Sequence, residues 1–294
     1  MTEPEHIDRL LHERAPWLFQ ETAPVAFLRK SLQSALSYEQ TLLIADRLKP
    51  LSAVQIMDRL AIHLCRNLSV SGIEHIPMSG PALIVCNHPT GIADAIMLWS
   101  ALRKRRSDTY FFANRDIERV LPQMRDMIAP VEWRAEKRSH SATRRMLKFT
   151  AEATREERLG VIFPSGRLAY REGLSLRERP WMGSAVTLAR KFDLPIVPVH
   201  LKGRNSALFY LLSMIHPSLR DITLFHETLN KARAPFEVHA KAPIAVNYLP
   251  QDNEAAIAQL RALCFDQDTA PKSRASKPIV SRPPHRGAAL GVQS

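Results

Sequence analysis

The 294-residue chain holds few cysteines, a deficit of acid and no long apolar run. Its three cysteines, Cys65, Cys86 and Cys264, are odd in number and far apart. That excludes a disulfide framework and fits a reducing compartment. No Cys-x-x-Cys pair occurs, so structural zinc is not expected and no metal ligand is assigned. No uninterrupted apolar segment reaches the ~20 residues needed to cross a bilayer. The longest are PALIVC (81–86) and LFYLLSMI (208–215). The N-terminus, MTEPEHIDRLLHERAPWLF, mixes acids and bases early and lacks the basic start and apolar run of a secretory signal. Such a protein, if it works at a membrane, lies on it. There is no internal repeat, zinc-finger spacing or RNP-type aromatic motif.

The deficit of acid has consequences. Lys and Arg total 41 against 29 Asp and Glu, a net charge of +12. Of this, +5 sits in residues 269–294, which contain Lys272, Arg274, Lys277, Arg282 and Arg286 and no acid. That segment is rich in Pro, Ser, Gly and Arg and is expected to be a disordered basic tail. The remaining surplus favours anionic partners: nucleic acid, a phospholipid surface or phosphorylated substrates.

With 45% hydrophobic residues the chain can build a sizeable core. Residues 5–20, 25–47 and 51–68 have helix-like apolar spacing, so 1–75 reads as a helical lead-in. From 81 the texture changes to short apolar runs separated by helical segments. ALIVC (82–86), TYFFA (109–113), APVEW (129–133), GVIFP (160–164) and PIVPVHL (195–201) read as strands. PFEVHA (235–240) alternates with period two and reads as an edge strand. Helices are expected near 94–104, 115–127, 140–158, 182–192, 205–230 and 251–267. The alternation predicts an α/β fold, a mostly parallel sheet flanked by helices, over 76–268. In such sheets, sites form at the C-terminal ends of strands, where His88, Ser165 and His200 fall.

Three stretches carry candidate chemistry. In NHPTGIAD (87–94), a histidine just past a buried strand has an aspartate six residues on. Asp94 can fix the His88 tautomer and leave the other ring nitrogen to take a proton from a hydroxyl. Equally, Asp94 can cap the following helix while His88 packs locally. In VIFPSGRLAYREG (161–173), a Pro-Ser-Gly turn precedes Arg167, a combination able to hold an anion. The run around Ser165 lacks the first glycine of a nucleophile elbow. In LPIVPVHLKGRNS (194–206), His200 reads as a core residue followed by a basic exit loop. The LRKRR cluster (102–106) reads either as a membrane-docking patch or as a helix end that suits the helix dipole.

Together these motifs, in this order, resemble the glycerolipid acyltransferase superfamily, which includes lysophosphatidic acid acyltransferases. The resemblance covers residues 65–245. The segment 203–231 resembles a bacterial haemolysin-like, lyso-ornithine-lipid acyltransferase-like subgroup. It implies that His88 deprotonates a lysolipid hydroxyl and that Asp94 orients it. It places Asn87, Thr90, Ser165, Gly166 and Arg167 at the substrate. Expected co-substrates are acyl-CoA or acyl carrier protein, with no cofactor. Expected partners are the lysolipid (lysophosphatidic acid or lyso-ornithine lipid) and an anionic membrane surface, not nucleic acid. The expected location is peripheral, on the cytoplasmic face of the inner membrane. Two departures stand out. Five residues, not four, separate His88 from Asp94, and Ser165 replaces the family glutamate. The rival readings are a basic nucleic-acid-binding protein, a serine hydrolase using Ser165 and an inactive lipid-binding relative.

Overall fold

Residues Ala82–Cys86 are apolar at every position and buried at every position. A strand can hide both faces in this way only when helices cover the sheet on both sides. The computed structural model describes residues 9, 11–132, 139–173 and 175–266. The basic tail 269–294, the lead-in before residue 9 and Trp133 lie outside them.

The chain runs α1 (Ala23–Ala35), α2 (Tyr38–Leu48), α3 (Ala53–Leu64), β1 (Leu68–Ser71), β2 (Ala82–Cys86), α4 (Ile92–Leu102) and β3 (Tyr110–Asn114). It continues with α5 (Asp116–Val120), β4 (Ile128–Val131), α6 (His140–Arg155), β5 (Leu159–Ile162), β6 (Tyr170–Glu172) and β7 (Ser175–Arg177). It ends with α7 (Ser184–Phe192), β8 (Ile196–Lys202), α8 (Ala207–Ile215), α9 (Pro217–Leu229), β9 (Phe236–Ala240) and α10 (Asn253–Phe265). Seven strands form one sheet in the order β1-β9-β8-β2-β5-β3-β4, parallel except between β8 and β9. β6 and β7 form a separate antiparallel hairpin. The expected mostly parallel α/β architecture is what the chain adopts.

On one face α3 and α4 bury Ile56, Leu64, Ile96 and Trp99 against Ile84, Val197 and Val199. On the other, α7 and α10 bury Val186, Ala189, Ile257 and Leu260 against Leu83, Val85 and Ile196. α3 begins with a capping box, in which the Ser52 hydroxyl accepts from the Gln55 N–H and the Gln55 side chain from the Ser52 N–H. The lead-in helices rest on α8 and α9, where Leu36 packs with Leu212, Leu219 and Ile222.

Two strand assignments change. PFEVHA is an interior strand, not an edge, because β9 pairs with both β8 and β1. Its alternation reports one covered and one half-covered face, which an interior strand can also have. The edge is β1, inside the segment read as helical. Only four residues long, β1 leaves too short a pattern to stand apart from helix spacing.

The LRKRR cluster is mostly structural. Arg106 is 3% exposed and donates to the carbonyls of Pro77, Gly80 and Glu157. Arg105 donates to Ile76 and Glu74, and Arg103 pairs with Asp58. These guanidiniums close loops, and Lys104 is the exposed member of the cluster.

Candidate active site

The sheet order explains how residues 75 positions apart meet. β2 lies between β8 and β5, so the loops leaving their C-terminal ends are neighbours. His88 follows β2 and Ser165 follows β5. Three bonds tie these exits together. The Asn87 side chain donates to the Leu201 carbonyl at 2.8 Å and accepts from the Leu201 N–H at 2.7 Å. The Ala169 N–H donates to the His88 carbonyl at 2.9 Å.

His88 Nδ1 lies 2.8 Å from Asp94 Oδ2. Asp94 is fully buried in the first turn of α4. It also accepts from the N–H groups of Thr90 and Gly91, both at 2.9 Å to Oδ2, and from the Thr90 hydroxyl. Four donors converge on one carboxylate, which suits the ionised, acceptor-only form. The helix N-terminus adds a favourable field. Asp94 is therefore both the helix cap and the histidine partner, and the two readings of the sequence coexist. With Nδ1–H facing Asp94, Nε2 holds the free lone pair.

Gly91 accommodates the extra residue between His88 and Asp94. Its φ is +94°, and a Cβ there would lie 2.9 Å from Leu168 Cδ2. The turn at Thr90-Gly91 thus swings the carboxylate back to the ring. On the ring's other side Phe163 stacks at 4.2 Å between centroids.

The remaining sequence-derived candidates divide. Asn87 and Thr90 are buried and their polar atoms face inward, so they shape the turn instead of reaching for substrate. Ser165 is buried too. Its single hydroxyl proton has two acceptors within reach, the Arg167 carbonyl at 2.9 Å and the Glu178 carboxylate. Neither acceptor is the base a nucleophilic serine needs. Gly166 adopts φ +60° and Arg167 is exposed beside it.

His200 lies elsewhere. It is 8% exposed and its ring sits 4.9 Å from Phe265. Burial, with His239 and Lys202 close by, pushes its pKa down to about 4 from 6.5. Lys241 adds to this and Glu237 opposes it. The folded chain then leaves this ring neutral where the unfolded chain protonates it. Its contribution is full above pH 6.5 and is lost as pH falls towards 4. The expected loss is on the order of 2 kcal/mol, less than the bare shift implies because solvent reaches its charged neighbours. Urea midpoints at pH 7 and pH 4.5 should lie closer together in His200→Leu than in the parent.

One residue was invisible to motif reasoning. The Glu178 oxygens lie 3.2 and 3.3 Å from the His88 backbone nitrogen, whose N–H they accept. Trp181 Nε1 donates to the same carboxylate at 3.4 Å. Glu178 also lines an open groove of about 720 Å³ with Leu176, Trp181, Ile257 and Phe265, whose charged residues are two arginines, Arg177 and Arg261, and a second acid, Glu254.

Comparison with known proteins follows the same lines. Residues 67–202 match the Acyltransferase family model. A lyso-glycine lipid O-acyltransferase of Phocaeicola vulgatus is 25% identical over 166 residues, 56% of this chain. The chain spans 58% of that relative's length. A protein of the same name from Bacteroides thetaiotaomicron is 21% identical over 213 residues, 72% of this chain and 76% of its own. Among solved structures, the 1-acyl-sn-glycerophosphate acyltransferase PlsC of Thermotoga maritima aligns over 71% of this chain and 77% of its own, with 16% identity and a TM-score of 0.45. The matched residues take in the His88 turn, Ser165, Gly166 and Arg167 and end with the last residue of β8.

Proposed function

We propose that this protein transfers a fatty acyl group from an acyl thioester to the hydroxyl of a lysolipid. The observation that carries the proposal is the His88–Asp94 pair, buried on the aspartate side and stacked on Phe163. His88 Nε2 takes the hydroxyl proton as the oxygen attacks the thioester carbon. The C–S bond then breaks, and the same proton neutralises the departing thiolate. A thioester is already activated, so one positioned base suffices, contributing about 10²–10⁴-fold. Gly166 and Arg167 are the groups suited to the acceptor headgroup.

The donor is acyl-CoA or acyl carrier protein. The groove beside Glu178 supports an apolar acyl chain through the walls formed by Leu176, Trp181, Ile257 and Phe265. The acceptor reading rests on the names of the relatives, which act on lyso-glycine lipid. An amino-acid-linked lysolipid is accordingly preferred over lysophosphatidic acid. Among the described residues no helix is long and apolar enough to cross a membrane. Leu211, Met214 and Ile215 of α8 are more than half exposed, and they offer a face for peripheral contact with lipid. A panel of lysolipids with mass-resolved products tests the proposal. Turnover of lyso-amino-acid lipids above lysophosphatidic acid is the expected order, and the reverse order refutes the acceptor assignment.

A further inference from the structure

Glu178 lies outside every motif that singled out the site. After Arg167 the chain leaves through the β6–β7 hairpin and returns to set this carboxylate against the backbone of His88. Its partners are the His88 N–H, the Trp181 indole and the Ser165 hydroxyl. Among the described residues no Lys or Arg forms an ion pair with it. Burial raises its pKa, and the bonds from Ser165 and His88 only partly offset that. Withdrawing a carboxylate from water without a cation is costly. A neutral acceptor would satisfy one N–H at lower cost. The three donors belong to three loops that meet at this point, so the carboxylate fixes where the His88 turn sits. The Asn87–Leu201 pair and the Ala169 N–H hold Asn87 and the His88 carbonyl, while Glu178 takes the His88 N–H itself, and Pro89 after it has no N–H to offer.

We infer that Glu178 is a positioning residue, whose carboxylate holds the His88 backbone so that the imidazole stays between Asp94 and Phe163. The inference rests on His88 being the base, and its test is built to fail separately from that reading. Glu178→Ala removes the acceptor, whereas Glu178→Gln keeps an oxygen for the His88 N–H. Misplacing a catalytic group by about 1 Å costs on the order of 10²-fold. Glu178→Ala should therefore lose about that factor in kcat, with the KM for the lysolipid unchanged, and Glu178→Gln should recover most of it. The proton and nitrogen NMR shifts of the His88 backbone amide supply a readout independent of turnover. They should move in Glu178→Ala and stay near the parent values in Glu178→Gln. An unmoved His88 amide in Glu178→Ala, or a kcat equal to the parent's, overturns the inference. Full turnover in His88→Ala would instead refute the base assignment and leave the amide shifts to judge Glu178.

Discussion

His88→Ala loses roughly 10²–10⁴-fold in kcat for acyl transfer, with its thermal midpoint little changed. The ring is partly exposed and borders the site, so truncation removes one stacking contact with Phe163 and opens no deep cavity. Asp94 keeps its three other donors from Thr90 and Gly91, so the turn and α4 persist. What disappears is the lone pair that accepts the hydroxyl proton. Mass spectrometry of the intact protein with acyl donor should show no covalent acyl adduct in either form, since the Ser165 hydroxyl donates to the Arg167 carbonyl and not to a histidine. An acyl adduct lost in Ser165→Ala would support the serine hydrolase reading and sink this one.

Asp94→Asn has the second large effect, and for two separable reasons. An amide can present its NH₂ to Nδ1, which moves the ring proton to Nε2 and removes the base. The equivalent swap in a Ser-His-Asp triad costs about 10⁴-fold, and a loss approaching that is expected here. The asparagine also meets the Thr90 and Gly91 N–H groups with one acceptor oxygen in place of two. Each buried donor left unpaired costs about 1–3 kcal/mol, so the thermal midpoint falls as well. The two variants thus differ in kind, since His88→Ala is inactive and stable whereas Asp94→Asn is inactive and destabilised. Steady-state kinetics beside thermal unfolding distinguishes them. Equal midpoints would show that Asp94 does not hold the turn.

Much of this site can be read along the chain because its parts are local. His88, Thr90, Gly91 and Asp94 lie within one turn and one helix start, so spacing alone could pair them. The sheet was legible for a similar reason: β2, β5 and β8 are buried on both faces and leave continuous apolar runs. The sequence pattern suggested that replacing the family glutamate with Ser165 removed a carboxylate from this region. The structure shows a carboxylate there after all, supplied by Glu178 from beyond a hairpin. No local pattern marks such a residue, because what places it is a set of bonds to the distant His88 N–H and to the Trp181 indole. The roles of Asn87 and Thr90 were hidden similarly. The resemblance placed them at the substrate, but their partners are the neighbouring strand β8 and a carboxylate in the next helix.

The most direct test of the account is to supply a lyso-amino-acid lipid and an isotopically labelled acyl thioester, then weigh the lipid products. The account predicts that the parent protein adds one labelled acyl chain to the lysolipid hydroxyl and that His88→Ala does not. Labelled free fatty acid without acylated lipid, or equal product from His88→Ala, would contradict it.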